Sequence, residues 1–357
     1  MTRTFLPHVI TDDSALGGAV IERSLRFSAT ASPKLTRTFG TNTSNTTKTI
    51  SFWMKRGSLG STEGMQNIFC TALSGYIEGR LRINTDDTLQ FEDRDASGGT
   101  SDGRRQTSAK LRDTSSWYHI ILALDSTQGT EADRAKIYIN GTQATIGADR
   151  TISQNYSFSF MRSSAENYVG EGTNEGSHLD AYLAEVNFID GQQLDPSYFG
   201  FTDSQTGMWM PKRYEGTYGN NGFHLEFKDN SSTSTLGKDT SGNQNDFSTT
   251  NIGITLGTSD DSMIDTPTNN FPTLNPSNRS SGPTLDWGIL YFFYNYKPAS
   301  KTCRTTFRLP KSGKYYWEWE NNESSSNPGR WQSGIINVVN ETSTDYDIQG
   351  YNDADIV

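Results

Sequence analysis

The chemistry open to this chain rests first on its acids. Hydrolysis of a glycosidic bond takes two facing carboxylates, about 5–5.5 Å apart when configuration is retained. Glu92, Asp93 and Asp95 come closest to supplying them. Asp93 and Asp95 share strand parity, but Gly98 and Gly99 follow at once and read as a solvated loop. Asp180 and Glu185 have opposite parity and point to opposite strand faces unless a bulge intervenes. Glu318 and Glu320 share parity, yet they alternate with Trp317 and Trp319 as an exposed face does. No catalytic residue is expected.

Other reactive types are equally sparse. His119 sits in an apolar run and is expected as a hydrogen-bonded core residue. His178 and His224 lack a Cys or a second His at ligand spacing, and no metal site is expected. Cys70 and Cys303 are far apart and read as buried thiols. Asp86, Asp87, Asp125 and Asp133 can offer oxygens to a structural Ca²⁺, but no EF-hand-like spacing supports one. No cofactor is expected, since phosphate-loop, dinucleotide and G-x-S-x-G fingerprints are absent. Tyr156, Phe158, Phe160, Tyr168 and Tyr182 can form a sugar-stacking platform, though packing is the plainer role for each. Arg104-Arg105 reads as a solvated loop. Ligand-binding residues stay unassigned.

The elements that hold these residues follow from composition. The chain has 357 residues, 31 Lys and Arg against 41 Asp and Glu, and a net charge of −10. That balance opposes phosphate backbones, so no nucleic-acid partner is expected. No run approaches the ~18 apolar residues of a membrane span, and no membrane insertion is expected. The first twenty residues lack a basic-then-apolar leader pattern. Aromatics reach 11% while all hydrophobic types together reach 32%, and 33 Gly join abundant Ser, Thr and Asn. Such a profile suits exposed β-structure with many turns.

Helical periodicity is nearly absent. Residues 49–55 alternate, with Ile50, Phe52 and Met54 on one face and Ser51, Trp53 and Lys55 on the other. Residues 81–84, 88–92 and 136–140 repeat that period of two. Residues 118–124 are continuously apolar, as in a central strand covered on both faces. Asn140-Gly141 then supplies the positive-φ pair of a tight hairpin. The fold class is all-β: an antiparallel jelly-roll sandwich, an irregular connector and a second, partial β-sandwich.

Residues 1–23 are too few and too polar to hold a core and form an arm. The jelly roll spans 24–200. From 201 to 282 the chain is an irregular connector with short strands near 222–228 and 247–256, and Pro267, Pro272, Pro276 and Pro283 mark its extended end. Residues 283–357 form the partial second sandwich, with 314–320 as its clearest strand. Within the arm, Phe5, Leu6, Pro7, Val9 and Ile10 make a short apolar run able to dock on another protein's sheet edge or groove.

Four segments resemble the concanavalin-A-like, laminin-G-type jelly roll. Thr49-Ile-Ser-Phe-Trp-Met-Lys-Arg56 is similar to its early inner strand, and Ser116-Trp-Tyr-His-Ile-Ile-Leu-Ala-Leu-Asp125 to its Trp-x-His strand. Lys136-Ile-Tyr-Ile-Asn-Gly-Thr142 resembles its Tyr-x-Asn-Gly hairpin. Tyr168-Val-Gly-Glu171 and Leu179-Asp-Ala-Tyr-Leu-Ala-Glu-Val-Asn-Phe188 resemble its closing strands, and residues 189–196 its exit turn. The resemblance implies two packed sheets, with Ile50, Phe52, Ile137 and Ile139 filling the gap. Trp53 and Trp117 are large enough to span that core or close its edge. The family also hosts glucanases, but their E-x-D-x-x-E pattern is absent here.

Gly313-Lys-Tyr-Tyr-Trp-Glu-Trp-Glu320 followed by Trp331-Gln-Ser-Gly-Ile-Ile-Asn337 resembles the opening of a SPRY-type sandwich. Asp239-Thr-Ser-Gly-Asn-Gln-Asn-Asp246 is similar to a turn found near laminin-G-like starts. Arm, jelly roll, connector and SPRY-like opening together resemble structural proteins of tailed, notably marine, phages. That resemblance implies a tail-fibre or appendage subunit, made in the host cytoplasm and carried on the virion. Its expected partners are other virion proteins, host-surface glycans and copies of itself, as a trimer. Capsid decoration, a cellular adhesin module and a glucanase are the alternatives.

Overall fold

In the computed structural model, sequence alternation becomes two stacked antiparallel sheets. The structure describes residues 18–60, 64–94, 103–171, 177–255, 259–279, 284–286, 291–293 and 303–306. The arm residues Phe5, Leu6, Pro7, Val9 and Ile10, the SPRY-like segments and Asp95 lie outside the described residues.

The strands begin with β1 (Ser24–Phe27), β2 (Lys34–Thr38), β3 (Thr47–Arg56), β4 (Gln66–Leu73), β5 (Tyr76–Ile83), β6 (Thr88–Asp93), β7 (Gly103–Lys110) and β8 (Trp117–Asp125). There follow β9 (Ala135–Ile139), β10 (Thr142–Gln143), β11 (Ile146–Arg150), β12 (Glu166–Val169), β13 (Ala181–Asp190), β14 (Gly200–Thr202), β15 (Trp209–Pro211) and β16 (Phe223–Leu225). The last are β17 (Ser248–Thr250), β18 (Ile254–Thr255), β19 (Ser259–Asp260), β20 (Ser262–Met263), β21 (Leu274–Arg279), β22 (Thr284–Asp286), β23 (Tyr291–Phe293) and β24 (Cys303–Thr305). One sheet runs β10, β9, β8, β3, β13, β1, β20, with β16 also on β13. The facing sheet runs β11, β7, β6, β5, β4, β12, β2, β17. Among the described residues, no helix is long and apolar enough to cross a membrane.

The expected alternation holds. Ile50, Phe52 and Met54 pack with Ile120, Leu122, Ile137, Leu81, Phe91 and Phe69 in the core between the sheets, and Ile139 packs at its margin. β8 is covered on both faces: Ile121 and Ala123 join Ile189, Leu194, Phe199 and Tyr214 in an outer cluster. Asn140 (φ 48) and Gly141 (φ 78) form the hairpin that returns Thr142 to Ile139.

Trp53 and Trp117 neither span the core nor close its edge. One residue out of phase with Phe52, Trp53 lies on the outer face of its sheet, clustered with Trp117, Tyr182 and Ile21 beneath Trp209 and Met263. That cover comes from segment 201–273. Its β16 pairs with β13, β17 with β2 and β20 with β1, so the irregular stretch extends both sheets. Lys55, fully buried, anchors it by donating to Asp265 (2.7 Å), Asn270 (2.8 Å) and the Phe271 carbonyl (2.6 Å).

Buried charges close both ends of the sandwich. At one end Arg56 donates to the carbonyls of Leu111 and Ser58 and pairs with Asp87. At the other, Lys48 Nζ donates to the Phe160 and Met161 carbonyls. Asp93 shares that end and is not in a solvated loop. Its carboxylate accepts from Tyr156 Oη (2.9 Å) and from the N–H groups of Ser159 (2.9 Å) and Phe160 (2.8 Å). Strand β6 continues as far as Asp93, which turns it inward in phase with Phe91. Arg104 and Arg105 likewise belong to β7, where Arg105 is buried and pairs with Glu131 at 2.6 Å.

Candidate functional site

An open cleft of about 670 Å³ lies on the outer side of the sheet that holds β8, lined by Gly141, Asp195, Pro196, Gly200, Trp209 and Lys212 among others. Three local structures build it. The β9–β10 hairpin brings Gly141, a short 3-10 turn (Pro196–Tyr198) brings Asp195 to its cap, and the β14–β15 hairpin brings Gly200 and Trp209. Asp195 Oδ1 accepts from Ser197 N (2.8 Å) and Oγ (2.6 Å), which fixes the carboxylate at the rim. Lys212 Nζ donates to the Ser197 carbonyl (3.1 Å) from the same rim.

Trp209 forms the cleft's half-buried aromatic wall. Its indole packs so closely on both glycines that a Cβ on Gly141 would fall 2.5 Å from Cε3, and one on Gly200 would collide with the ring. Its Nε1 donates to Nδ1 of His119 at 2.9 Å. An indole N–H only donates, so His119 carries its own proton on Nε2 and donates that to Ser51 Oγ (2.9 Å). Burial pushes the His119 pKa down to about 3, so the ring stays neutral. Trp53 stacks on the other side of His119, with centroids 4.8 Å apart. His119 is thus the core residue its apolar run predicted, and it locks the orientation of Trp209.

A second cluster surrounds Glu185. A bulge between Ala184 and Asn187 puts Glu185 at φ 49, a strained setting for this residue type. Its Oε1 meets His224 Nε2 at 2.8 Å, and Thr240 Oγ1 lies 2.8 Å from Nδ1. Burial lowers the His224 pKa, but the adjacent Glu185 carboxylate outweighs it, with Glu226 and Asp239 adding to the rise. The parity rule for Asp180 and Glu185 is therefore altered by a bulge, yet the two acids serve separate contacts. Asp180 bonds Gly57 N–H and the Gln66 side chain through its main chain, while the Glu185 carboxylate holds His224.

The remaining candidates scatter. Asp87 pairs with Arg56 and Arg112, Asp86 caps Thr88, Asp125 caps Thr127 and Asp133 pairs with Lys136. Among the described residues no group of three or more His, Cys, Asp or Glu is placed to hold a metal ion. Phe158, Phe160, Tyr168 and Tyr182 are buried and Tyr156 packs against the core, so they form no stacking platform. Cys70 is buried as a free thiol. The cleft residues Trp209, Asp195 and Lys212 escaped the sequence reading. Their one signal was an apolar Met-Trp-Met-Pro run inside a polar stretch.

Residues 29–196 match the family model described as "Concanavalin A-like lectin/glucanases superfamily". A search of curated proteins finds no match. Among solved structures, one from Bacteroides ovatus described as a "putative carbohydrate binding protein" is similar at 18% identity and TM-score 0.43, covering 64% of this chain and 58% of that one. The receptor binding domain of botulinum neurotoxin mosaic serotype C/D is similar at 13% identity and TM-score 0.35, covering 49% and 40%. The chain thus spans less than two thirds of either structure. Matched in sequence and folded as two antiparallel sheets, residues 29–196 are a laminin-G-type domain of the concanavalin A-like superfamily.

Proposed function

We propose that the chain is a glycan-binding subunit of a phage virion appendage, a tail fibre, that does not cleave glycosidic bonds. The observation that carries the binding reading is the Trp209 cleft. A rigid indole wall offers a flat apolar surface to one face of a pyranose ring. Asp195 and Lys212 at the rim offer a charged acceptor and a charged donor to its hydroxyls. Both the indole and the Asp195 carboxylate are held by hydrogen bonds before any ligand arrives, so little ordering entropy is lost on binding. The Glu185 carboxylate is already engaged by His224, which argues against its use in a retaining glycosidase pair.

The virion part of the proposal rests on the order of segments: apolar arm, laminin-G-type sandwich, connector and SPRY-like opening. In this reading the arm residues Phe5, Leu6, Pro7, Val9 and Ile10 dock on the particle. Trimeric copies multiply a weak per-site affinity. Glycan-array binding of the full chain and of Trp209→Ala tests the site, with loss of signal expected in the variant at a temperature where it remains folded. Equal binding by both proteins, or release of reducing ends from a polysaccharide panel, would overturn the respective part. Failure to copurify with virions would remove the appendage assignment.

A further inference from the structure

A third cluster takes no part in the cleft. Ser32 Oγ lies 3.2 Å from His178 Nε2, and His178 Nδ1 lies 3.8 Å from Glu171 Oε1. Nδ1 is buried with no hydrogen-bond partner, and Glu171 Oε2 is engaged by Lys34 at 3.0 Å, which leaves Oε1 toward the ring. Ser32 sits at φ 52 at the end of a tight turn, a left-handed backbone setting rare for serine. Beside His178, the Ser177 carbonyl accepts from Asn67 N, and the buried amide of Asn67 has neither atom bonded. Unused polar groups and strained backbone collect where chemistry is done.

We propose that Ser32, His178 and Glu171 form a nucleophile, base and orienting acid that hydrolyse a carboxylic ester. The order of groups is the one the reaction needs: a hydroxyl on the Nε2 side of the ring and a carboxylate on the Nδ1 side. His178 Nε2 takes the Ser32 proton as Oγ bonds to the ester carbonyl carbon. The C–O bond to the alcohol then breaks, and that alcohol leaves with the proton from Nε2. Water next gives a proton to Nε2 and attacks the acyl carbon. The Oγ–C bond breaks, Ser32 regains its proton and the carboxylic acid departs. The N–H groups of Ala31 and Ser32 are committed to the Ser28 and Ala29 carbonyls. Separations of 3.2 and 3.8 Å are those of a resting site that tightens on substrate. This site departs from the sequence expectation of no catalytic residue and uses none of the cleft residues.

The full chain, treated with a fluorophosphonate at pH 8, tests this directly. We expect a covalent adduct on the peptide containing Ser32, together with slow turnover of p-nitrophenyl acetate. Ser32→Ala abolishes the adduct, and His178→Gln slows it by about 10²-fold or more. Glu171 acts through the ring as a positioning residue. Glu171→Gln slows the labelling, and Glu171→Asp restores part of the rate. An unlabelled Ser32 in the wild-type chain, or labelling that His178→Gln leaves unchanged, would overturn the assignment. Because an unlabelled wild-type Ser32 suffices to overturn it, loss of folding in a variant cannot rescue the idea.

Discussion

Gly141 shows how tightly the cleft is specified by single side chains. It combines a positive φ with an indole against the space where a Cβ would stand. Gly141→Ala is expected to cost about 1–3 kcal/mol and to red-shift tryptophan emission as Trp209 is displaced. Unchanged emission and melting temperature would show that the hairpin yields without moving the indole. Asp265 tells a complementary story. It accepts from Lys55 Nζ, from Trp117 Nε1 at 3.1 Å and from Phe271 N, and its removal leaves a buried ammonium without its counter-charge. Asp265→Ala should lose about 3–5 kcal/mol in urea unfolding, whereas the double variant Lys55→Met with Asp265→Leu should recover part of that loss. If the double variant proves worse than the single, desolvation of the pair is not the governing cost.

Strand β16 is three residues long, too short to hold itself on β13 by backbone pairing alone. The Glu185–His224 contact and the turn around Asp239 hold it there. Asp239 Oδ1 accepts from the N–H groups of His224 and Ser241, while Asp239 Oδ2 accepts from Asn245 N. The groups facing His224 are Glu185 on β13, Glu226 beyond its own strand, Asp239 on the turn, and the Tyr218 ring stacked at 6.2 Å. With the folded pKa raised above the unfolded value, protonated His224 stabilises the attachment fully below about pH 6.5. That contribution fades as pH rises through the folded pKa. Hydrogen exchange at 223–225, corrected for intrinsic rates, should therefore quicken from pH 6 to pH 9. His224→Gln should flatten the dependence, and a wild-type profile already flat would exclude the clamp. None of this was visible in the sequence. A bulge that turns Glu185 out of phase depends on pairing with β3, and the partner His224 is 39 residues away.

The two-sheet core was legible because period-two alternation directly encodes which face is buried, and Asn140-Gly141 fixes a register locally. What covers the outer face was not legible. Trp53 and Trp117 look the same to a periodicity argument whether solvent, ligand or another segment lies over them. That distinction bears on where the folding unit ends. The family match stops at residue 196, yet β16, β17 and β20 complete both sheets from beyond it. Segment 201–273 also supplies Trp209 and Met263 over Trp53, Trp117 and Tyr182, and Asp265 for Lys55. Cutting the chain at residue 200 would strip this cover, leaving about 150–250 Å² of surface on each large aromatic open to water and a buried lysine without its acid. A fragment of residues 18–200 should therefore bind a hydrophobic dye and unfold at much lower urea than the full chain. A fragment of residues 18–279 should match the full chain in both measurements. Equal stability of the shorter fragment would mean that the jelly roll is self-sufficient and the connector merely rests on it. The predicted difference instead makes the connector part of the sandwich, so that the Trp209 cleft is built across a boundary the family pattern does not reach.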